Sequence, residues 1–365
     1  VARLFPLFSL DPVAMQAIAM IGIFSAVLAA VIACTQSDLK RVLAYSTMSQ
    51  IGFMMFALGV ARNTPDQQLG YTASLFHLFT HAFFKSLLFL SAGAIIHYVH
   101  SNNIFSMGGL RKPMPITHFS FLIACLAISG VPFFSGFFSK EEILVAAYQY
   151  SPLLFGMAVF TSGLTAFYMF RLYFIVFWHK EYRASTASHT AGEGPWVMLL
   201  PLLVLTVITL LSGYVPFGEF VSASGLPQET HIDWMFSILP VGVGLIGIAT
   251  AFLLFKNQRK VRSAAETVPN GLLAIIYHKF YIDEIYLFIT RTILFRGIAQ
   301  PITWLDKHVV DDLVNTTGDT MLWVSERIKR IQSGKVQQYG LWFLGSLLVL
   351  FLGLFLYKGG INFIK

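Results

Sequence analysis

Apolar runs of about 20 residues recur along this chain, and a run of that length is what an α-helix needs to cross a bilayer. Eight candidates are expected at Val13–Cys34, Leu39–Val60, Tyr71–Tyr98, Ile116–Tyr148, Leu153–Trp178, Trp196–Tyr214, Trp234–Phe255 and Tyr339–Tyr357. Hydrocarbon offers no partner for backbone N–H and C=O groups, so runs this long call for helices that satisfy those groups internally. Composition agrees: only 12% of the 365 residues are charged, about half the share in a soluble domain. A soluble enzyme, a disordered tail and a disulfide scaffold are thereby excluded. Cys34 and Cys125 both lie in apolar stretches without CxxC spacing, so no disulfide framework, zinc site or iron–sulfur site is expected. The expected fold is an all-α polytopic membrane protein of about eight transmembrane helices, one of them broken, plus a long lateral amphipathic helix.

Loop charge sets the orientation. Lys40, Arg41, Arg111, Lys112, Lys180, Arg183 and the cluster at 256–262 collect on one side, against Arg3 and Arg62 on the other. Cationic loops stay on the cytoplasmic side, so the first group marks the cytoplasm, or the matrix in a mitochondrion. The acidic Glu219, Glu229 and Asp233 fall outside. The net charge of +7 thus reflects loops and anionic lipid rather than nucleic acid. The sequence opens Val1-Ala2-Arg3, without Met or a signal peptide, and reads as the C-terminal portion of a longer protein. Between Lys279 and Gly334 charges of both signs interleave with apolar residues at spacings of three to five. That pattern predicts one or two long amphipathic helices on the cytoplasmic side, kinked at Pro301, either bracing several subunits or resting on lipid.

Ionisable residues inside spans are expensive and point to function. His77, His81 and Lys85 fall at i, i+4 and i+8 in SLFHLFTHAFFKSLLFL, on one helical face. Imidazoles and a buried amine suit proton relay. Metal ligation by His77 and His81 is disfavoured, because no Glu lies between them and Lys85 adds a positive charge one turn on. The fourth span is interrupted by Ser129-Gly130-Val131-Pro132 and Ser135-Gly136, a broken helix that is tolerated only beside a protein-buried or wet cavity. Lys140 lies just beyond, with Glu141 and Glu142 as expected partners for its ammonium. The bland alternative makes Ser139 the N-cap of an ordinary helix with Glu142 at N3. Arg171 is expected to snorkel to the cytoplasmic surface. The polar run Tyr45–Gln50 either holds water or joins helix to helix. No nucleotide- or haem-binding motif occurs.

The stretches SDLKRVLAYSTMSQIGFMMFALGV, LFHLFTHAFFKSLLFLSAGAIIH, MGGLRKPMP and FFSGFFSKEEIL, in this order, resemble the antiporter-like subunits of the proton-translocating NADH:quinone oxidoreductase (respiratory complex I). Mrp-type sodium/proton antiporters and membrane-bound hydrogenases share these motifs, and the tail is similar to that of the L-type subunit, subunit 5. The resemblance implies a second inverted-repeat half over 1–150, additional transmembrane helices over 151–270, a lateral helix over 271–338 and a final span over 339–365. It implies a proton-translocating axis of His77, His81, Lys85, Lys140 and Glu141, with the proton leaving through Lys140 and the input channel belonging to a half absent here. It further implies no cofactor in this chain, with NADH, FMN, iron–sulfur clusters and quinone in partner subunits. Other membrane-arm subunits and lipid are the expected partners. The expected location is a bacterial inner (plasma) membrane or the mitochondrial inner membrane. The alternative is a sodium/proton antiporter or hydrogenase subunit. Moving one charge against 100 mV takes about 2.3 kcal/mol, within reach of modest electrostatic rearrangement among buried groups.

Overall fold

The computed structural model describes residues 1–61, 69–178, 193–221, 233–255 and 271–362. Arg62, Lys180, Arg183, Glu229 and the 256–262 cluster, which helped to set the orientation, lie outside them. The chain divides into two compact units, Val1–Phe280 and Tyr281–Lys365. The described secondary structure is helical throughout, apart from one isolated bridge between Asp38 and Asn103. The protein is a multi-pass membrane protein, with seven described helices long and apolar enough to cross a bilayer and a shorter apolar helix at Pro115–Ser129.

In the first unit the helices are α1 (Pro12–Ala33), α2 (Leu39–Val60), α3 (Leu69–Val99), α4 (Pro115–Ser129), α5 (Ser135–Tyr150), α6 (Pro152–Phe177), α7 (Trp196–Leu211) and α8 (Trp234–Phe255). Starts follow local chemistry. Asp11 accepts from the Val13 amide at 3.0 Å with Pro12 as the first helical residue, and Asp38 accepts from the Arg41 amide at 3.0 Å. These are carboxylate caps on otherwise orphaned donors. Where α1 crosses α2, small residues let the backbones touch: a Cβ on Gly59 would lie 2.3 Å from the Ala19 nitrogen. In lipid, with no hydrophobic drive between helices, such close packing supplies the adhesion. Ser49 Oγ adds a bond to the Ala26 carbonyl at 2.9 Å.

The expected break in the fourth span is real, and its cause is local. The α4 helix ends with Gly130 in the left-handed region (φ 72°), and its last turn is closed by amide bonds from Gly130 to Ala127 and from Val131 to Leu126. That is the usual glycine stop. Had the helix continued, the Ile128 carbonyl would have received the amide of residue 132, which is a proline and has none. The α5 helix restarts at Ser135 after the Phe134 cap. Ser139 therefore lies inside α5 rather than capping it, and the reading of Ser139-Lys140-Glu141-Glu142 as a helix start is overturned.

The second unit holds an uninterrupted helical run from Ile282 to Lys329, ending in the amphipathic α9 (Asp311–Lys329), followed by α10 (Val336–Asn362). At 1.5 Å per residue the run extends roughly 70 Å. Pro301 does not interrupt it: Ala299 and Gln300 keep helical dihedrals, and the backbone winds wider over Ile289–Ala299 and again over Asp306–Val310. A π-type stretch shifts carbonyls onto donors five residues on, which accommodates the missing proline donor. Its large apolar side chains, Trp304, Leu313, Leu322 and Trp323 among them, are exposed in this unit.

Candidate functional site

The helices α2, α3, α5 and α6 meet around His77, which is fully buried. Its Nδ1 lies 2.8 Å from Ser139 Oγ of α5 and its Nε2 lies 3.1 Å from Gln50 Oε1 of α2. Hydrogen accounting fixes the tautomer. The Thr165 hydroxyl donates to the Thr161 carbonyl at 2.9 Å and so can only accept from Gln50 Nε2, 3.4 Å away. Gln50 must then present its carbonyl oxygen to His77, so the ring proton sits on Nε2 in the neutral form and Nδ1 accepts from Ser139. Ser139 Oγ also lies 2.9 Å from Thr80 Oγ1. A proton added to His77 would occupy Nδ1 and reverse the Ser139 bond, so this hydroxyl can pass a proton on without moving its oxygen.

Further hydrogen bonds hold the polar groups along α6. The Tyr168 hydroxyl donates to Ser46 Oγ at 3.0 Å and lies 3.4 Å from Thr165 Oγ1. One turn further along α6, Arg171 donates to the Gln36 carbonyl at 3.0 Å, and Gln36 Nε2 reaches the Tyr277 carbonyl at 3.4 Å. Arg171 is 5% exposed, with its guanidinium over the Phe255 ring. The expectation that it snorkels is therefore corrected: it is a buried cation held by a backbone carbonyl. The Tyr45–Gln50 run joins helix to helix, since Ser46 and Gln50 bond to Tyr168 and Thr165 of α6.

The remaining axis residues are also buried, with 6% of His81, 5% of Lys85, 3% of Lys140 and 7% of Glu141 exposed. The His77 and His81 ring centroids are 6.1 Å apart, as i, i+4 spacing requires. His81 Nε2 and Lys85 Nζ have no hydrogen-bond partner among the described residues. The Lys140 ammonium donates to the Ile128 carbonyl at 2.5 Å, the carbonyl whose helical donor Pro132 cannot supply. Glu141 instead accepts, through Oε1, a hydrogen bond from Ser237 of α8. The expected Lys140–Glu141 contact is thus replaced by two separate bonds: the break gives the amine a negative helix end, and the carboxylate turns to the neighbouring helix. The structure places Ser139, adjacent to Lys140, against His77, joining α3 to the broken helix; Lys85 lies two turns along α3 from that junction.

Residues 1–165 match the family described as NADH:quinone oxidoreductase/Mrp antiporter, transmembrane. Over that stretch the chain is similar to this family. It is 41% identical over 392 residues to NAD(P)H-quinone oxidoreductase chain 5 of Picosynechococcus sp., covering 95% of this chain and 57% of the relative. It is 38% identical over 377 residues to the chloroplastic NAD(P)H-quinone oxidoreductase subunit 5 of Mesostigma viride, covering 96% and 56%. The chain thus spans just over half the length of these curated relatives. Among solved structures, one of an archaeal membrane-bound sulfane sulfur reductase matches with TM-score 0.54 and 24% identity, over 93% of this chain and 56% of that one. The Mrp complex from Dietzia sp. matches with TM-score 0.53 and 20% identity, over 93% and 34%. These two likenesses show the shared antiporter-like fold.

The groups of the site that sequence reading left unassigned are uncharged: Thr80, Thr165, Tyr168 and Ser237, with Ser139 read only as a candidate cap. One signal could have found part of the set. Thr161, Thr165 and Tyr168 recur at four and three residues in a largely apolar span, which is one face of a helix.

Proposed function

We propose that the chain is a proton-translocating membrane-arm subunit of an NADH:quinone oxidoreductase of the complex I type, with His77, His81, Lys85, Lys140 and Glu141 as its transfer axis. One observation carries this reading. A hydrogen-bonded line runs from Thr165 through Gln50 and His77 to Ser139, whose neighbour in sequence, Lys140, is an amine held on a broken helix. Among the described residues the buried Lys140 ammonium is held by a backbone carbonyl, with no carboxylate bonded to it. His81 Nε2 and Lys85 Nζ, buried and without a hydrogen-bond partner among the described residues, are where bridging water belongs. Redox chemistry takes place in partner subunits that carry FMN, iron–sulfur clusters and quinone, and coupling reaches this chain as a change of charge or hydration along the axis. The partners are other membrane-arm subunits and adjacent antiporter-like subunits along the 282–329 helix. The membrane is a bacterial inner membrane or an organelle's energy-converting membrane. The subunit 5 relatives at 38% and 41% identity favour this reading over a sodium/proton antiporter; co-purification with flavin and iron–sulfur subunits distinguishes the two.

The test is Lys140→Ala in the assembled complex, reconstituted in vesicles. The complex is expected to assemble and reduce quinone with a lowered proton-to-electron ratio. An unchanged ratio would remove the assignment.

A further inference from the structure

Lys140 and Glu141 line a cavity with about 20 Å3 of space for water-sized spheres, shared with Ser129, Gly130, Ser162 and Ser237. That is room for one water. Two buried polar atoms of this lining, Ser129 Oγ and Glu141 Oε2, have no hydrogen-bond partner among the described residues. The other carboxylate oxygen, Oε1, accepts from the Ser237 hydroxyl, and that same hydroxyl lies 3.0 Å from the Asp233 backbone carbonyl. A serine has one proton to donate, so two acceptors compete for it.

We infer that Ser237 is a two-position hydroxyl that governs proton release from Glu141 towards the outer face. This rests on the proton-transfer reading of Lys140 above and extends the route into α8, a helix without a functional role in the sequence reading. While Glu141 is a carboxylate, the Ser237 O–H donates to Oε1 in a charge-assisted bond. When a proton arrives from Lys140 by way of the cavity, an ammonium N–H bond breaks and an O–H bond forms at Oε2, leaving a neutral amine and a neutral acid. Oε1 is then the weaker acceptor, and the hydroxyl turns to the Asp233 carbonyl. When Glu141 gives its proton to water on the outer side, the returning negative charge draws the hydroxyl back. No electron moves, and the proton is conserved at each step. Ser237 is a positioning residue: it never carries the transported proton, but it stabilises the anion that release must regenerate.

Three Ser237 variants, with Lys140→Ala as reference, test this in the assembled complex in vesicles, read as the rate of proton release during quinone reduction. Ser237→Ala should slow release about tenfold, the loss expected for one hydrogen bond to a charged group. Ser237→Thr keeps the hydroxyl and should restore the rate to within about twofold, which a mere packing role would not predict for the larger side chain. If Ser237→Ala fails to assemble, Ser237→Cys, similar in size but a weak donor, should show the same slowing. Release at the unmodified rate in the Ala or Cys variant, with Lys140→Ala still defective, would overturn the role of Ser237 and leave the axis standing. A Thr variant as slow as Ala would also overturn it. Normal release in Lys140→Ala would instead remove the reading on which it rests.

Discussion

At the scale of single residues, the account turns on which hydrogen goes where. Gln50 is the pivot: Thr165 fixes its amide orientation, and it in turn fixes the His77 tautomer. Gln50→Leu keeps the volume but leaves the His77 Nε2 proton buried without an acceptor, at a cost of about 1–3 kcal/mol. The expected result is proton transport slowed at least about fivefold in vesicles with the assembled complex still recovered; transport at the unmodified rate would contradict the hydrogen accounting. The burial of His77, His81, Lys85 and Lys140 was legible in the sequence because ionisable side chains in an apolar run are costly unless they face the protein interior. Arg171 misled for the opposite reason. Its distance from the end of α6 permits snorkelling, and nothing in one helix reveals that the Gln36 carbonyl, 135 residues away, waits to receive it. Ser237 was invisible because a hydroxyl in a span is common and acquires meaning only from the Glu141 carboxylate opposite.

At the scale of elements, the broken helix and the α1–α2 crossing carry opposite kinds of constraint. The break was readable because Gly130 and Pro132 are stop signals in their own right. Its consequence was not, since the preference of Lys140 for Ile128 over Glu141 is set by the fold-back of α5 on α4. Replacing Gly130 and Pro132 together by Ala would let the helix run on and pair the Ile128 carbonyl with its own amide. The double variant is expected to lose proton transport while retaining helical content by circular dichroism, and full transport in it would deny the break a role. The α1–α2 crossing predicts a stability effect instead. Gly59→Leu must push two backbones apart where even a Cβ would lie 2.3 Å from the Ala19 nitrogen. Overpacking of this kind costs about 1–3 kcal/mol or more, visible as a lowered Tm of the detergent-solubilised complex.

For the molecule as a whole, the first unit holds the buried axis, whereas the helices of the second carry exposed apolar side chains. The periodicity between Lys279 and Gly334 announced that long helix from sequence. Its wide-wound stretch before Pro301 was not announced, because a proline marks a missing donor without saying how the backbone absorbs it. Deleting 283–332 should cost retention of neighbouring membrane-arm subunits on native gels, whereas Lys140→Ala should cost proton transport with those subunits retained. Matching phenotypes for the two would merge roles that the account keeps apart. The central claim is that His81, Lys85 and Lys140 share one wet seam in the protein interior. A density map of the intact complex at a resolution that shows ordered water tests it most directly. Waters within hydrogen-bonding distance of His81 Nε2 and Lys85 Nζ, continuing towards Lys140, are the predicted result; apolar side chains or lipid against those nitrogens, with no water between, would contradict it.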